Sequence, residues 1–331
     1  MNGDNAYIVE FNGVSLNYHD AQGETPAIRG LDFGVKKGEF VSIVGPSGCG
    51  KTSVLSIAAG IAVPSGGSVR IEGGRPGYML QQDHLLDWRT VEGNILLGLE
   101  VQGNLNEESR SYALELLKTY GLGEFAGKYP SQLSGGMRQK VALIRTLATR
   151  PELLLLDEPF SALDFQTRLM LCDEMHDILK REGKTVILVT HDISEAISMG
   201  DRVLVFSARP TGVKAEHIID LSGKSPLERR NAANFKDYFN AIWGELDHDE
   251  AKLRGLFGGT QAIYCAAEPL PPGHKACALA YIDSIHCAVG AFCPRGDNRS
   301  VYRQLSRKGG GNDSAAVCRR GTVFAHRRNA L

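Results

Sequence analysis

The sequence predicts an α/β fold in which helices connect the strands of a parallel sheet. Three short apolar runs, at residues 40–44, 153–156 and 185–190, carry this prediction. Such runs, without polar alternation, are typical of strands buried on both faces. A glycine-rich loop follows the first run, two carboxylates follow the second and a histidine follows the third. Because parallel strands end at a common edge, these groups predict a ligand site there.

The N-terminal segment has a different pattern, in which apolar and polar residues alternate. Residues 7–11 and 14–18 are predicted to be strands of a half-buried sheet, and residues 28–35 a third strand after a polar turn at 20–25. The segment therefore predicts a small β subdomain that precedes the first buried strand.

The loop after the first buried run has the phosphate-loop pattern, and residues after it predict a helix through Ala59. Its glycines allow backbone N–H groups to face phosphate oxygens, and the helix N-terminus adds partial positive charge. Lys51 is expected to reach the β and γ phosphates and Thr52 to bind Mg²⁺. A flexible turn without ligand is the alternative, which the flanking strand and helix disfavour. The predicted nucleotide-binding residues are Gly45, Pro46, Ser47, Gly48, Cys49, Gly50, Lys51, Thr52 and Ser53.

The second buried run ends in Asp157 and Glu158. One carboxylate can hold Mg²⁺ through water while the other polarises an attacking water molecule. The alternative is a solvated acidic loop that caps a strand. Paired with the phosphate loop, the two residues predict nucleotide hydrolysis.

The third run ends at His191, after a predicted helix over 167–182 with one apolar stripe. A lone histidine is more often structural, but the shared sheet edge favours a catalytic role. Two further helices are predicted, over 108–120 and 137–149.

The second of these helices follows Ser134, Gly135 and Gly136, which offer a hydroxyl, bare N–H groups and a helix dipole to an anion. A helix start without ligand is the alternative. The surrounding segment 129–140, placed between the phosphate loop and Asp157, resembles the signature sequence of ATP-binding-cassette (ABC) ATPases.

The resemblance covers about residues 7–246 and implies a P-loop NTPase fold. That fold has a RecA-like parallel sheet core, an N-terminal antiparallel β subdomain and an inserted helical subdomain at about 82–148. The first domain is assigned to residues 1–247.

In that family two cassettes meet head to tail, and each ATP lies between one phosphate loop and the partner's signature. Tyr18 matches the aromatic residue that stacks on adenine, although a strand tyrosine is more often packing. Gln81 matches the glutamine that senses Mg²⁺ and the γ-phosphate and couples to membrane subunits. Asp164 matches the loop across the dimer interface, Glu158 the catalytic base and His191 the switch histidine.

Segments 85–91, 135–139 and 189–196 look like the ATPases of nitrate, sulfonate and taurine importers. Asp87 stands where that group usually has Pro, and Leu80 where it usually has Phe. The resemblance implies ATP and Mg²⁺ as cofactors, integral membrane permease subunits as partners and a homodimer of cassettes. It also implies an indirect role for an extracytoplasmic solute-binding protein, a location on the cytoplasmic face of the membrane, and no nucleic acid. The alternatives are a soluble cassette ATPase acting on ribosomes or DNA, and a non-catalytic nucleotide-binding scaffold.

Composition divides the 331 residues near position 247. An apolar fraction of 43% and a charged fraction of 23% exclude a wholly disordered or fibrous chain. Residues 248–331 contain 12 Lys and Arg against 6 Asp and Glu, and five of the seven cysteines. This tail is expected to be a poorly structured extension; a partner-binding domain, a zinc site and a shifted reading frame are the alternatives. No disulfide framework, signal peptide or membrane span is predicted.

Overall fold

A computed structural model of the protein describes residues 7–20, 23–221 and 223–256. Its strands, in chain order, are β1 (Tyr7–Asp20), β2 (Gly23–Lys36), β3 (Phe40–Val44), β4 (Gly66–Ile71), β5 (Gly77–Met79), β6 (Leu153–Asp157), β7 (Thr185–Val189), β8 (Arg202–Phe206) and β9 (Val213–Ile218). Its helices are α1 (Lys51–Ala58), α2 (Val91–Val101), α3 (Glu107–Thr119), α4 (Gly135–Ala148), α5 (Phe165–Arg181), α6 (Ile193–Met199), α7 (Pro226–Arg230) and α8 (Phe235–Leu256). Two short 3₁₀ turns, Gly123–Phe125 and Pro130–Gln132, lie between α3 and α4.

The described strands form two sheets. Strands β5, β6, β7, β3, β8 and β9 lie side by side in that order, and all neighbours are parallel except β8 and β9. Strands β2, β1 and β4 form a second, antiparallel sheet. The predicted parallel core and N-terminal antiparallel sheet are therefore both confirmed.

The central strands owe their position to side chains that pack on both faces. Leu154 and Leu156 of β6 lie in one apolar cluster with α2, α3, α4 and α5. Leu153 and Leu155 lie in another, with α1 and the antiparallel sheet. Since successive side chains of a strand point to opposite faces, an unbroken apolar run serves both layers.

In the helical region α2 and α3 pack against each other and against α4, and the first 3₁₀ turn packs against α3. The predicted helix over 108–120 begins one residue earlier, because Asn106 and Ser109 form a capping box. The helix predicted from 137 begins at Gly135, where Ser134 is the N-cap residue. The helix predicted from 167 begins at Phe165, because the Asp164 side chain accepts from the Thr167 backbone N–H at 3.1 Å.

Some strands differ from the sequence prediction. The two N-terminal strands are one strand, β1, with register shifts between Phe11 and Val14. Strand β4 was missed because Gly66, Gly67 and Ser68 give it no apolar alternation. Helix α8 runs across position 247, where the composition changes, and residues 257–331 lie outside the described part of the chain. Within that described part, no helix is long and apolar enough to cross a membrane.

Candidate functional site

The phosphate loop between β3 and α1 folds around its own lysine. Lys51 is 6% exposed, and its Nζ donates to the carbonyl oxygens of Gly45 at 2.8 Å and Pro46 at 3.1 Å. Gly48 and Gly50 have φ values of 74° and 123°, which a side chain would disfavour. The loop thus holds a buried ammonium group at the start of α1, as an anion site requires.

Asp157, at the end of β6, lies beside the first turn of α1. The Thr52 hydroxyl donates to Asp157 Oδ1 at 3.3 Å, and the Tyr78 hydroxyl donates to Oδ2 at 3.4 Å. Burial is the main reason why the pKa of Asp157 is raised above its ordinary value. Burial and the Asp157 charge raise the pKa of Tyr78 to about 12, so the phenol remains a hydrogen-bond donor.

Glu158 is held in an unusual backbone conformation, with φ of 45°. For a residue with a side chain this costs about 1–3 kcal/mol and persists only where neighbours enforce it. Here its N–H donates to the Val189 carbonyl at 2.8 Å, and its own carbonyl accepts from the Ser161 hydroxyl at 3.0 Å. Strain held in place by hydrogen bonds is typical of functional positions.

The side chains of Glu158, His191 and Gln81 meet at one carboxylate oxygen. Glu158 Oε2 lies 3.1 Å from His191 Nδ1 and 3.3 Å from Gln81 Nε2. The hydrogen bond from His191 is the main cause that lowers the pKa of Glu158 below its ordinary value. The same bond raises the pKa of His191, partly offset by burial. The predicted convergence at this sheet edge is present.

This ion pair predicts a pH-dependent contribution to stability. The raised pKa of His191 gives stability that is complete below about pH 6.5, its unfolded pKa, and is lost as pH rises through the folded pKa. The lowered pKa of Glu158 gives stability that is complete above about pH 4.5 and is lost as pH falls through its folded pKa. We therefore expect wild type to melt above His191→Gln by at most about 2 °C near pH 5.5, since the His191 side chain is half exposed, and the difference to shrink as pH rises through the folded pKa of His191.

Thermal melts of both proteins across this range check the prediction. His19→Gln, which changes an exposed histidine of β1, is the matched control and should follow wild type throughout. A melting difference that grows towards alkaline pH would contradict the ion pair.

The other predicted nucleotide residues lie around the same loop or on a separate turn. The Tyr18 hydroxyl is 2.9 Å from Ser53 Oγ, and the tyrosine is 45% exposed beside the start of α1. Gly135 and Gly136 of the signature turn pack against Leu163 and Thr167, where an added Cβ would lie 3.2 and 3.1 Å from side-chain carbons. The signature turn is thus seated on the segment that follows Glu158.

Sequence reasoning assigned no separate role to Tyr78 or Ser161. Tyr78 contacts Asp157, and Ser161 Oγ is 3.4 Å from Gln81 Nε2. Both contacts join residues far apart in the chain, so no local spacing predicts them. The only available signal was their position within or beside the segments that carry Gln81 and Asp164.

The oxygen donors at this edge fit a hard divalent cation. Among the described residues, no group of three or more His, Cys, Asp or Glu side chains is placed to hold a metal. Thr52 Oγ1 and Asp157 Oδ1 are adjacent, however, and Mg²⁺ is usually held by one or two carboxylates together with substrate phosphates.

The chain is similar in sequence and in fold to several known proteins. Residues 28–161 match the family described as ABC transporter. The uncharacterized ABC transporter ATP-binding protein YtlC of Bacillus subtilis is 48% identical over 250 residues, which are 73% of this chain and 96% of that protein. The bicarbonate transport ATP-binding protein CmpC of Synechococcus elongatus is 40% identical over 223 residues, 65% of this chain and 34% of that protein. A solved dimeric ATP-binding cassette in a post-hydrolysis state, bound to ADP and Pi, aligns with a TM-score of 0.56 at 32% identity, covering 64% of this chain and 98% of that chain.

Proposed function

The chain belongs to the ATP-binding proteins of ABC transporters, and on that premise we propose that it drives an importer for a small solute of the nitrate, sulfonate or taurine type. It binds ATP, and its activity is ATP hydrolysis coupled to transport. The observation that carries the proposed site is the convergence of Glu158, His191 and Gln81 beside the buried Lys51. The importer type is supported by segments 85–91, 135–139 and 189–196. It is also supported by the 40% sequence identity to a bicarbonate transport ATP-binding protein.

In the proposed mechanism Glu158 is the general base. Its lowered pKa keeps the carboxylate ionised, so it can accept a proton from an attacking water molecule. Lys51 stabilises negative charge that develops on the γ-phosphoryl group, and His191 holds the Glu158 side chain in place. Thr52 and Asp157, with Gln81, would hold Mg²⁺, which supplies further charge stabilisation when bound.

The proposed site is completed by a second copy of the chain. The signature turn Ser134–Gly136 begins α4 and offers its backbone N–H groups to an anion. It packs against Leu163 and Thr167, in the segment that follows Glu158, so a nucleotide bound at the turn would also affect the surroundings of Glu158. A relative that is a dimeric cassette bound to ADP and Pi supports two copies acting together.

A groove beside the helical subdomain is the proposed seat of a membrane permease subunit. It has a volume of about 490 Å³, and its walls include Asp83, Leu85 and Gln139. Trp88 lies on the loop before α2, close in sequence to the groove residues Asp83 and Leu85, and is 75% exposed. Buried Asn94 fixes that loop, since its side chain bonds to the backbone of Leu86, Arg89 and Thr90. Docking here would place the protein on the cytoplasmic face of the membrane, with a solute-binding protein as an indirect partner.

Affinity capture of the full chain from detergent-solubilised native membranes tests this proposal. We expect a polytopic permease to be recovered and identified by mass spectrometry. Trp88→Glu should reduce that recovery at least about tenfold, because a charge replaces a large exposed apolar side chain in the proposed docking region. Val63→Glu, which places the same charge at a side chain that is 83% exposed, is the matched control and should recover the permease as wild type does. Recovery of ribosomal or DNA-bound proteins without a permease would contradict the proposal and favour a soluble cassette ATPase.

A further inference from the structure

Hydrogen bonds hold the turn that carries His191 in place on both sides of the histidine. The Thr190 hydroxyl donates to Glu195 Oε2 at 2.6 Å and accepts from the Asp192 backbone N–H at 3.0 Å. Asp192 is the N-cap residue of α6, and its Oδ1 accepts from the backbone N–H of Ser194 at 2.7 Å. Because the His191 side chain is 53% exposed, packing does little to position it, and its location depends on this turn.

Glu195 is the centre of these bonds and is 3% exposed. A buried carboxylate is costly unless cations and hydrogen bonds compensate it. Burial raises the pKa of Glu195, whereas the Thr190 hydrogen bond and the Arg168 charge oppose that change. Glu195 is the one ionisable side chain of α6, so its burial is expected to serve a role.

Arg168 of α5 connects Glu195 to the loop after Glu158. Its Nη2 donates to the Leu163 carbonyl at 3.2 Å, its Nη1 is 3.6 Å from Asp192 Oδ2, and its Nε is 3.7 Å from Glu195 Oε1. The buried Nε–H has no hydrogen-bond partner. An approach of about half an ångström would bring it within hydrogen-bond range of Glu195.

We propose that Arg168 and Glu195 are positioning residues that transmit the position of the loop Ser161–Asp164 to His191. A shift of the loop moves the Leu163 carbonyl and the guanidinium bonded to it. The guanidinium in turn contacts Asp192 and Glu195, which both follow His191 and are both hydrogen-bonded to Thr190 on its other side. His191 then approaches or leaves Glu158 Oε2, now 3.1 Å away.

This inference rests on the proposed role of His191 and deepens it. In the proposed dimer the loop around Asp164 lies at the contact between the two copies. Glu158 would therefore be positioned to act as the general base only when the second copy of the chain is bound. No step of the chemistry uses Arg168 or Glu195 directly.

A mutant cycle on the full chain tests the proposal through the kinetics of ATP hydrolysis. Glu195→Gln keeps an oxygen acceptor for Thr190 but removes the charge that Arg168 contacts. We expect it to lower kcat about tenfold or more with less than about a twofold change in KM for ATP, because small displacements of catalytic groups are costly. In the His191→Ala background the same substitution should produce no further loss, since its effect passes through His191.

Arg168→Gln gives a second arm if Glu195→Gln does not fold, because the arginine side chain is 23% exposed. It should reproduce the loss in kcat, and again add nothing to His191→Ala. The matched control is Glu108→Gln on α3, which breaks an exposed ion pair with Arg150 and should keep wild-type kcat. Melting temperatures identify variants that are merely unfolded.

Two results would overturn the inference alone: wild-type kcat in both variants, or an equal loss whether His191 is present or absent. Wild-type kcat in His191→Ala itself would overturn the proposed role of His191 and this inference with it. That outcome is visible in a separate arm, so the two failures are distinguishable.

Discussion

Replacing Glu158 by Gln is expected to lower kcat for ATP hydrolysis by about 10²–10⁴-fold, the range that a general base contributes. Gln has nearly the same shape and can still contact His191 and Gln81, so the turn should be preserved. It cannot accept the proton of the attacking water. ATP binding should persist, because Lys51 and the phosphate loop are unchanged. Phosphate release at saturating ATP and Mg²⁺, together with equilibrium binding of ATP, measures the two quantities separately.

Glu108→Gln is the control here as well, because it removes a carboxylate of α3 that is 79% exposed and pairs with Arg150. It should leave both turnover and ATP affinity unchanged. Turnover within about twofold of wild type in Glu158→Gln would show that another group activates the water, and would remove the chemical basis of the proposed site.

Replacing Lys51 by Met is expected to weaken ATP binding by about 10–100-fold, the value of a charge-assisted hydrogen bond to an anion. Turnover should fall further, because the ammonium group also stabilises charge in the transition state. The substitution removes the bonds to the carbonyls of Gly45 and Pro46 too, so the loop loses an internal support. Titration with ATP and measurement of phosphate release test both parts.

Lys36→Met, which changes an exposed lysine at the end of β2, is the matched control for the loss of a positive charge. It should bind ATP as wild type does. An ATP affinity that is unchanged in Lys51→Met would contradict the assignment of this loop as the phosphate site.

The sequence predicted the parts of the fold and site that depend on local pattern. The strands β3, β6 and β7 were identifiable because every residue in them is buried, which leaves apolar runs without alternation. Glu158 and His191 could be placed together because each follows such a strand at the same edge, and they lie 3.1 Å apart. The phosphate loop is likewise a contiguous segment, in which Gly48 and Gly50 have positive φ.

Contacts between distant segments were not predictable in this way. Arg168 and Glu195 face each other only because α5 and α6 pack together, and no local spacing pairs the two residues. A carboxylate on the buried α6 was a signal that could have been noticed, since a buried charge needs a partner. The identity of that partner requires the fold.

Strain at Glu158 was equally invisible in the sequence. Its φ of 45° follows from the bonds to Val189 and Ser161, which come from the neighbouring strand and from the loop that follows. Glycine would adopt this conformation more readily, but only a carboxylate can serve as the base. The backbone cost is therefore retained where the chemistry needs the side chain.

Sedimentation of the Glu158→Gln protein with and without ATP tests most directly whether two copies form the site. We expect a monomer without ATP and a dimer with saturating ATP, because nucleotide remains trapped between the phosphate loop of one copy and Ser134–Gly136 of the other. Ser134→Arg in the same background should stay monomeric with ATP, since the larger side chain blocks the anion site at the start of α4. A Glu158→Gln protein that binds ATP but stays monomeric, or a dimer that is insensitive to Ser134→Arg, would contradict the account.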